Sequence, residues 1–160
     1  MRRTHEEYLE EAIKLSQKAR ESGNTPFAAI LVNQDGEVVL EQTNNEITEH
    51  KCTGHAETQL AEAASKKFER DYLWNCTLYT TAEPCAMCTG AIYWANIGRI
   101  VYAMTEVELL ELTGGDPQNP TFSMPCRTIL ATGQKDIQVD GPFPELAPEA
   151  AKVHEGYWNQ

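Results

Sequence analysis

No stretch of this 160-residue chain comes near the ~18 consecutive apolar residues of a membrane-spanning helix. Its first residues, MRRTHEEYLEEA, hold no apolar core of an export signal. Positive charge is scarce as well: 13 Lys and Arg stand against 24 Asp and Glu, a formal net charge of -11 with His counted neutral. The basic residues come singly or in pairs, as at Arg2-Arg3 and Lys66-Lys67, and form no stripe. A field of that sign repels phosphate backbones. Neither nucleic acid nor a membrane is therefore the expected partner; a small, neutral or weakly charged ligand is. Cysteine is sparse and odd in number, five in all. Without an export signal, that speaks for reduced thiols or metal ligands rather than a disulfide framework, and for a cytoplasmic setting.

What is present suits one domain spanning residues 1–160. A chain of 17.9 kDa buries roughly 70% of its unfolded surface on folding, so its core needs no staple. Glu6 to Glu21 places Tyr8, Ala12, Leu15 and Ala19 at helical spacing, and Ser22-Gly23-Asn24 ends that helix. The apolar runs Phe27–Val32 and Glu37–Leu40 flank an Asp35-Gly36 turn and read as a β-hairpin. Gln42 to Thr53 is polar and reads as a loop, and His55 to Phe68 as a second helix. Cys76–Thr80 is a strand, Pro84 to Trp94 a helix with Pro84 in its first turn, and Ile100–Ala103 a strand. A short helix over Glu106–Leu112, an irregular Gly114–Pro125, a short strand at Ile137–Val139 and a proline-broken tail from Pro142 complete the reading. That order predicts an α/β fold, a mixed sheet with helices on its faces, whose last strands run parallel through right-handed crossovers.

Two short segments carry chemistry, and each opens a predicted helix: Thr53-Gly54-His55-Ala56-Glu57 and Glu83-Pro84-Cys85-Ala86-Met87-Cys88. Cys85 and Cys88, at i and i+3, project from adjacent positions of one helical face. Free N–H groups and the positive end of the helix dipole favour thiolate there, the form that binds zinc. His55 supplies a third ligand from the neighbouring helix start and leaves the fourth tetrahedral position for water, as in a catalytic zinc site. Zinc lowers the pKa of that water to about 7. Glu57, two residues beyond His55, is placed to reach the water without being a ligand. It would carry the proton to a ring nitrogen and then to a leaving amine while hydroxide attacks the amino-bearing ring carbon. His, Glu, Pro-Cys and Cys in this order are the signature of zinc deaminases.

The chain resembles the cytidine deaminase superfamily, and most of all its guanine deaminase branch. The resemblance is carried by Glu83-Pro84-Cys85-Ala86-Met87-Cys88 with the following Thr89-Gly90-Ala91-Ile92-Tyr93-Trp94-Ala95, and it runs from Pro26-Phe27 through Asn44-Asn45 to about Ala103. It implies a three-layer α/β/α sandwich around a mixed, roughly five-stranded sheet, one zinc per chain, a homodimer, and hydrolytic release of ammonia from a heteroaromatic amine. It also implies that Asn44 hydrogen-bonds the substrate, that Phe27 packs on the ring face, and that the Ala56 N–H meets the carbonyl side of the base. The tail from about 141 to 160 would cross to a partner subunit or close the site, with Tyr157 or Trp158 as its aromatic. Ala28 stands where the family usually has glycine, and Ala86 where guanine deaminases usually have proline. The loop that reads the amino edge of guanine does not align; Asp116, in Gly114-Gly115-Asp116-Pro117, is the candidate acid.

Guanine is the leading substrate on this reading. Cytosine, a nucleoside, or another aminopurine, pterin or triazine remain alternatives. Trp94 is a candidate for the substrate wall, the core or a subunit interface, and His5, His50 and His154 are expected to be solvated. Two readings from other classes use the same residues. A Cys-x-x-Cys between strand and helix also suits a redox pair. Cys52, three residues before His55, would complete a closed Cys3His site in a non-catalytic zinc module.

Overall fold

The first helix begins where Thr4 and Glu7 cap each other, side chain to backbone in both directions. It is α1, His5–Glu21, and its buried stripe runs from Tyr8 and Leu9 through Ala12, Ile13 and Ser16 to Ala19. A computed structural model describes residues 2–160. After α1 the chain enters the hairpin of β1 (Ala28–Val32) and β2 (Val38–Thr43). Asn33 shapes its turn: Oδ1 accepts from the backbone N–H groups of Asp35 (3.0 Å) and Glu37 (2.9 Å), an Asx turn. Then follow α2 (Ala56–Lys67), α3 (Arg70–Trp74), β3 (Thr77–Ala82), α4 (Ala86–Ala95) and β4 (Arg99–Met104). The remaining elements are α5 (Glu106–Thr113), α6 (Cys126–Leu130), β5 (Gln138–Asp140) and α7 (Ala147–Lys152).

The five strands form one sheet in the order β2-β1-β3-β4-β5. β1 pairs antiparallel with β2 and β3, while β3–β4 and β4–β5 are parallel. Strand alternation divides the apolar residues between two cores. Ile30, Val32, Tyr79, Val101 and Ala103 face Tyr8, Leu9 and Ile13 of α1 and Ala147 and Ala150 of α7. Ala29, Leu31, Leu78 and Ile100 face Leu60, Ala61 and Ala64 of α2 and Ile92 of α4. The fold is thus a mixed five-stranded sheet covered by helices on both faces, as the sequence predicts. Between α4 and β4 the backbone turns at Asn96, in the left-handed region at φ 71°, and then at Gly98. A Cβ on Gly98 would lie 1.9 Å from the Trp74 carbonyl oxygen, so only glycine lets this crossover close on α3.

Several expectations are corrected. β2 continues to Thr43 because Ala28, Ala29 and Ile30 give Thr43, Gln42 and Glu41 partners. Pro84 lies outside α4, whose N-cap is Cys85. α3, α6 and α7, of five or six residues each, are too short to show a period in sequence. Pro148 sits in the first turn of α7, where a missing N–H is harmless. His5 is not simply solvated, since its Nδ1 lies 2.7 Å from the Tyr79 hydroxyl. His154 is 3% exposed, with Nδ1 accepting from Trp158 Nε1 at 2.9 Å. Within the chain, Arg20 donates to the carbonyls of Val153 (2.8 Å) and Glu155 (2.6 Å) in the tail.

Candidate active site

Parallel β3 and β4 end at the same side of the sheet, and the start of α4 emerges there beside the start of α2. His55 caps α2 and Cys85 caps α4, both extended at the backbone, and Cys88 follows one turn later. Among the described residues, His55, Cys85 and Cys88 form the one group of three metal-ligating side chains, their donor atoms all within 4.8 Å of one another. His55 Nδ1 lies 3.5 Å from both sulfurs. Zinc–sulfur and zinc–nitrogen bonds of about 2.3 and 2.05 Å at a tetrahedral angle give a ligand separation of about 3.5 Å. The donor set therefore fits zinc in element type and in spacing. Cys52, expected by the closed-site reading to be a fourth ligand, lies outside the group and is exposed.

Proton distribution in the cluster follows from its crowding. The Cys88 thiol and the His55 ring hydrogen-bond Cys85 and bring it down to about 4. The Cys85 thiolate raises His55 to about 9, and Cys88, sharing a proton with Cys85 in a buried position, is raised. These shared protons are the ones a divalent cation displaces on binding. Thr58 steadies the set by donating its hydroxyl to Cys88 Sγ at 3.2 Å. Glu57, 7% exposed, has its carboxyl raised to about 7, first by burial and then by the Cys85 thiolate.

These groups open onto a cavity of about 310 Å³ whose wall includes Phe27, Asn44, His55, Glu57 and Cys85. Asn44 is held by its own turn: Nδ2 donates to Glu46 Oε1 (3.1 Å) and Oδ1 accepts from the Glu46 N–H (3.0 Å). The same turn is tied to the helix start, because the Asn45 N–H donates to the Gly54 carbonyl at 2.9 Å. Ala56 is buried between His55 and Glu57, and N–H groups of a first helical turn have no acceptor within the helix. Phe27 is backed by the tail, with His154 edge-on at 5.2 Å between centroids and Trp158 at 6.2 Å.

Three other expected contacts lie outside this wall. Trp94 is 77% exposed on α4. Asp116 is half-buried and uses its carboxylate to accept from the N–H groups of Asn159 (2.6 Å) and Gln118 (2.9 Å), donors that hold its pKa low. Tyr157 reaches the site only indirectly, its hydroxyl accepting from Gln118 Nε2 at 3.2 Å. Sequence reasoning missed Glu46, Glu83, Glu106 and the 118–122 segment, all in the cavity wall. Glu106 sits beside the Thr105–Glu108 capping box, where an acid already has a helical explanation. Glu83 is buried and anchors two helix starts, Oε1 accepting from the Glu106 N–H (3.0 Å) and Oε2 from the Cys126 N–H (2.9 Å).

A His, Cys, Cys donor set on two helix starts with a buried glutamate beside it, under a mixed sheet, defines a zinc-dependent hydrolytic deaminase. Residues 2–104 match the family model of the cytidine and deoxycytidylate deaminase zinc-binding region, and the chain belongs to that family. It is 40% identical over 152 residues to a probable cytosine deaminase of Schizosaccharomyces pombe, covering 95% of this chain and 91% of that one. It is 38% identical over 108 residues to a guanine deaminase of Bacillus subtilis, covering 67% and 69%. A solved guanine deaminase from Nitrosomonas europaea superposes with a TM-score of 0.79 at 22% identity, over 98% of this chain and 85% of that one. At that identity the likeness is one of fold.

Proposed function

We propose that the protein releases ammonia from a free amino-substituted nitrogen heterocycle, with guanine the leading substrate and cytosine the runner-up. The observation that carries this reading is the convergence of Phe27, Asn44, Glu57 and the metal ligands His55 and Cys85 on one cavity of about 310 Å³. That volume is at the small end for ligand sites and suits a base rather than a polynucleotide. Zinc held by His55, Cys85 and Cys88 supplies Lewis acidity that lowers the pKa of a water to about 7.

The chain's own residues do the rest. A carboxylate oxygen of Glu57 takes the proton of the attacking water and passes it to the ring nitrogen beside the reacting carbon. A second transfer through Glu57 protonates the exocyclic amine, which departs as ammonia as the C–N bond breaks. The carbon keeps the water oxygen, so amine and water become oxo product and ammonia, with no redox change. Phe27 orients the ring by face contact. Asn44 has one N–H and one lone pair left beyond its contacts with Glu46, and these, with the Ala56 N–H, fix the ring edge. Three glutamates in the cavity wall besides the backbone-bonded Glu83, namely Glu46, Glu57 and Glu106, favour a ligand rich in N–H donors, which supports guanine over cytosine.

The net charge of -11 supports a small substrate over tRNA. An ammonia-release screen over aminopurines, pyrimidines, pterins and triazines, with tRNA as a further arm, tests the reading. Guanine turnover supports it, cytosine alone replaces the substrate, and tRNA alone or no release overturns it. A homodimer belongs to the same proposal, supported by the exposed Trp94 and by open space beside Gly90 on α4. Sedimentation at the mass of one chain would refute the dimer.

A further inference from the structure

Two carboxyls on the β3–β4 side of the cavity differ in one respect. Glu83 has both oxygens satisfied by backbone N–H groups. Glu106 is 4% exposed and part of the same wall, yet its Oε2 is buried and has no hydrogen-bond partner. Buried polar atoms in native proteins are nearly always paired, and an unpaired carboxyl oxygen is a destabilising feature. The first turn of α5 would be equally helical with an apolar residue there, so capping does not require this one. Glu108 closes the capping box, and Glu106 only adds an acid near the helix dipole.

Resting on the deaminase reading above, we propose that Glu106 is a specificity residue that accepts a hydrogen bond from a ring N–H of the bound heterocycle. It would do so from a wall built by β4 and α5, separate from Asn44 at the end of β2 and Glu57 at the start of α2. The bases it favours carry an N–H donor in addition to the amine that is lost. A carboxyl keeps its C=O acceptor whether or not it carries a proton, so recognition does not depend on its titration. Burial, then the charges of Glu83 and Cys85, raise its pKa to about 8, against the opposing pull of the Met124 backbone N–H on the carboxyl. Glu106 is 4% exposed, and a hydrogen bond formed in such low-dielectric surroundings is stronger than one made in water.

Glu106→Met removes the acceptor, keeps the length of the side chain and leaves no orphaned oxygen. The test measures kcat, KM, zinc content and thermal midpoint for wild type, Glu106→Met and Glu106→Gln. The probes are guanine with its 1-, 7- and 9-methyl derivatives and cytosine with 1-methylcytosine. In Glu106→Met, kcat/KM for the parent base should fall about 10- to 100-fold, the worth of a buried hydrogen bond to a carboxyl, chiefly through KM. For the derivative methylated at the recognised nitrogen it should change less than about 3-fold, since that N–H is already gone. Zinc content should hold, the thermal midpoint should hold or rise, and Glu106→Gln, which keeps a carbonyl acceptor, should recover most of the loss. An equal loss on parent and every methylated base, a falling midpoint with zinc loss, or no loss at all would overturn the proposal while leaving the deaminase reading intact. Wild type that releases ammonia from none of these bases would overturn both.

Discussion

Replacing Gly54 with alanine should damage catalysis without touching a reacting group. Gly54 precedes the proposed metal ligand His55 and lies against the turn that holds Asn44. A Cβ there would meet Glu46 Cα and N at 2.6 Å and Asn45 Oδ1 at 2.8 Å. Two of these three atoms are backbone and cannot rotate away. Ordinary contact between non-bonded heavy atoms begins near 3.4 Å, so the two segments must part by about 0.8 Å. The Asn45 N–H to Gly54 carbonyl bond, 2.9 Å long, lies in the path of that movement. One side of the split carries Asn44 and Glu46, the other His55 and Glu57. A misplacement of about 1 Å is worth up to 10²-fold in rate, and overpacking typically costs about 1–3 kcal/mol. Gly54→Ala should therefore lower kcat/KM by roughly 10²-fold and stability by a few kcal/mol, read by steady-state kinetics and urea denaturation on one preparation. Gly115→Ala is the control: its Cβ meets nothing within 4 Å, and it should be neutral or slightly stabilising. Wild-type kcat/KM and an unshifted urea midpoint in Gly54→Ala would refute the claim that this close approach sets the site.

Glu57→Gln should lose at least the 10²–10⁴-fold typical of general acid–base catalysis while keeping zinc; metal analysis showing zinc loss would make Glu57 a ligand or a prop. Cys85→Ala should lose the metal and lower the thermal midpoint, because ligand binding energy is folding energy; a variant that retains one zinc at full affinity would refute the ligand assignment. Burial, aided by the charge of Arg20, holds His154 at about 4 against 6.5 in the unfolded chain, so the unfolded state binds the extra proton first as pH falls. Its stabilising contribution is complete above pH 6.5 and is lost progressively down to about 4, roughly 3 kcal/mol in all. His154→Gln, which keeps an acceptor for Trp158, should flatten that part of the pH dependence of urea stability, and an unchanged slope would show that His154 does not bury a neutral ring.

The His55, Cys85 and Cys88 cluster that could hold a metal, and the proposed proton carrier Glu57, were legible as candidates in the sequence because their chemistry is local. His55 and Glu57 share one helix start and Cys85 and Cys88 another, and residue type with spacing along a single turn names them. The five strands and the helices α1, α2, α4 and α5 were legible for a similar reason: periods of 2 and 3.6 repeat within each segment. Helices of one turn carry no such period, so α3, α6 and α7 emerged only with the contacts that hold them. The same limit governs the substrate wall. Asp116 and Tyr157 have the right chemistry in a plausible stretch of chain, but the fold spends Asp116 on backbone donors and Tyr157 on Gln118. Trp94 projects from the outer side of α4.

Glu106 reaches the cavity because β4, parallel to β3, delivers the first turn of α5 to the side of the sheet where α4 begins. Its missing partner is a property of three elements at once, β4, α5 and the segment before α6. A sequence records which groups can accept a proton or a metal. Which of them end up buried, satisfied or facing a ligand is decided by non-local packing, and only the tertiary structure supplies that.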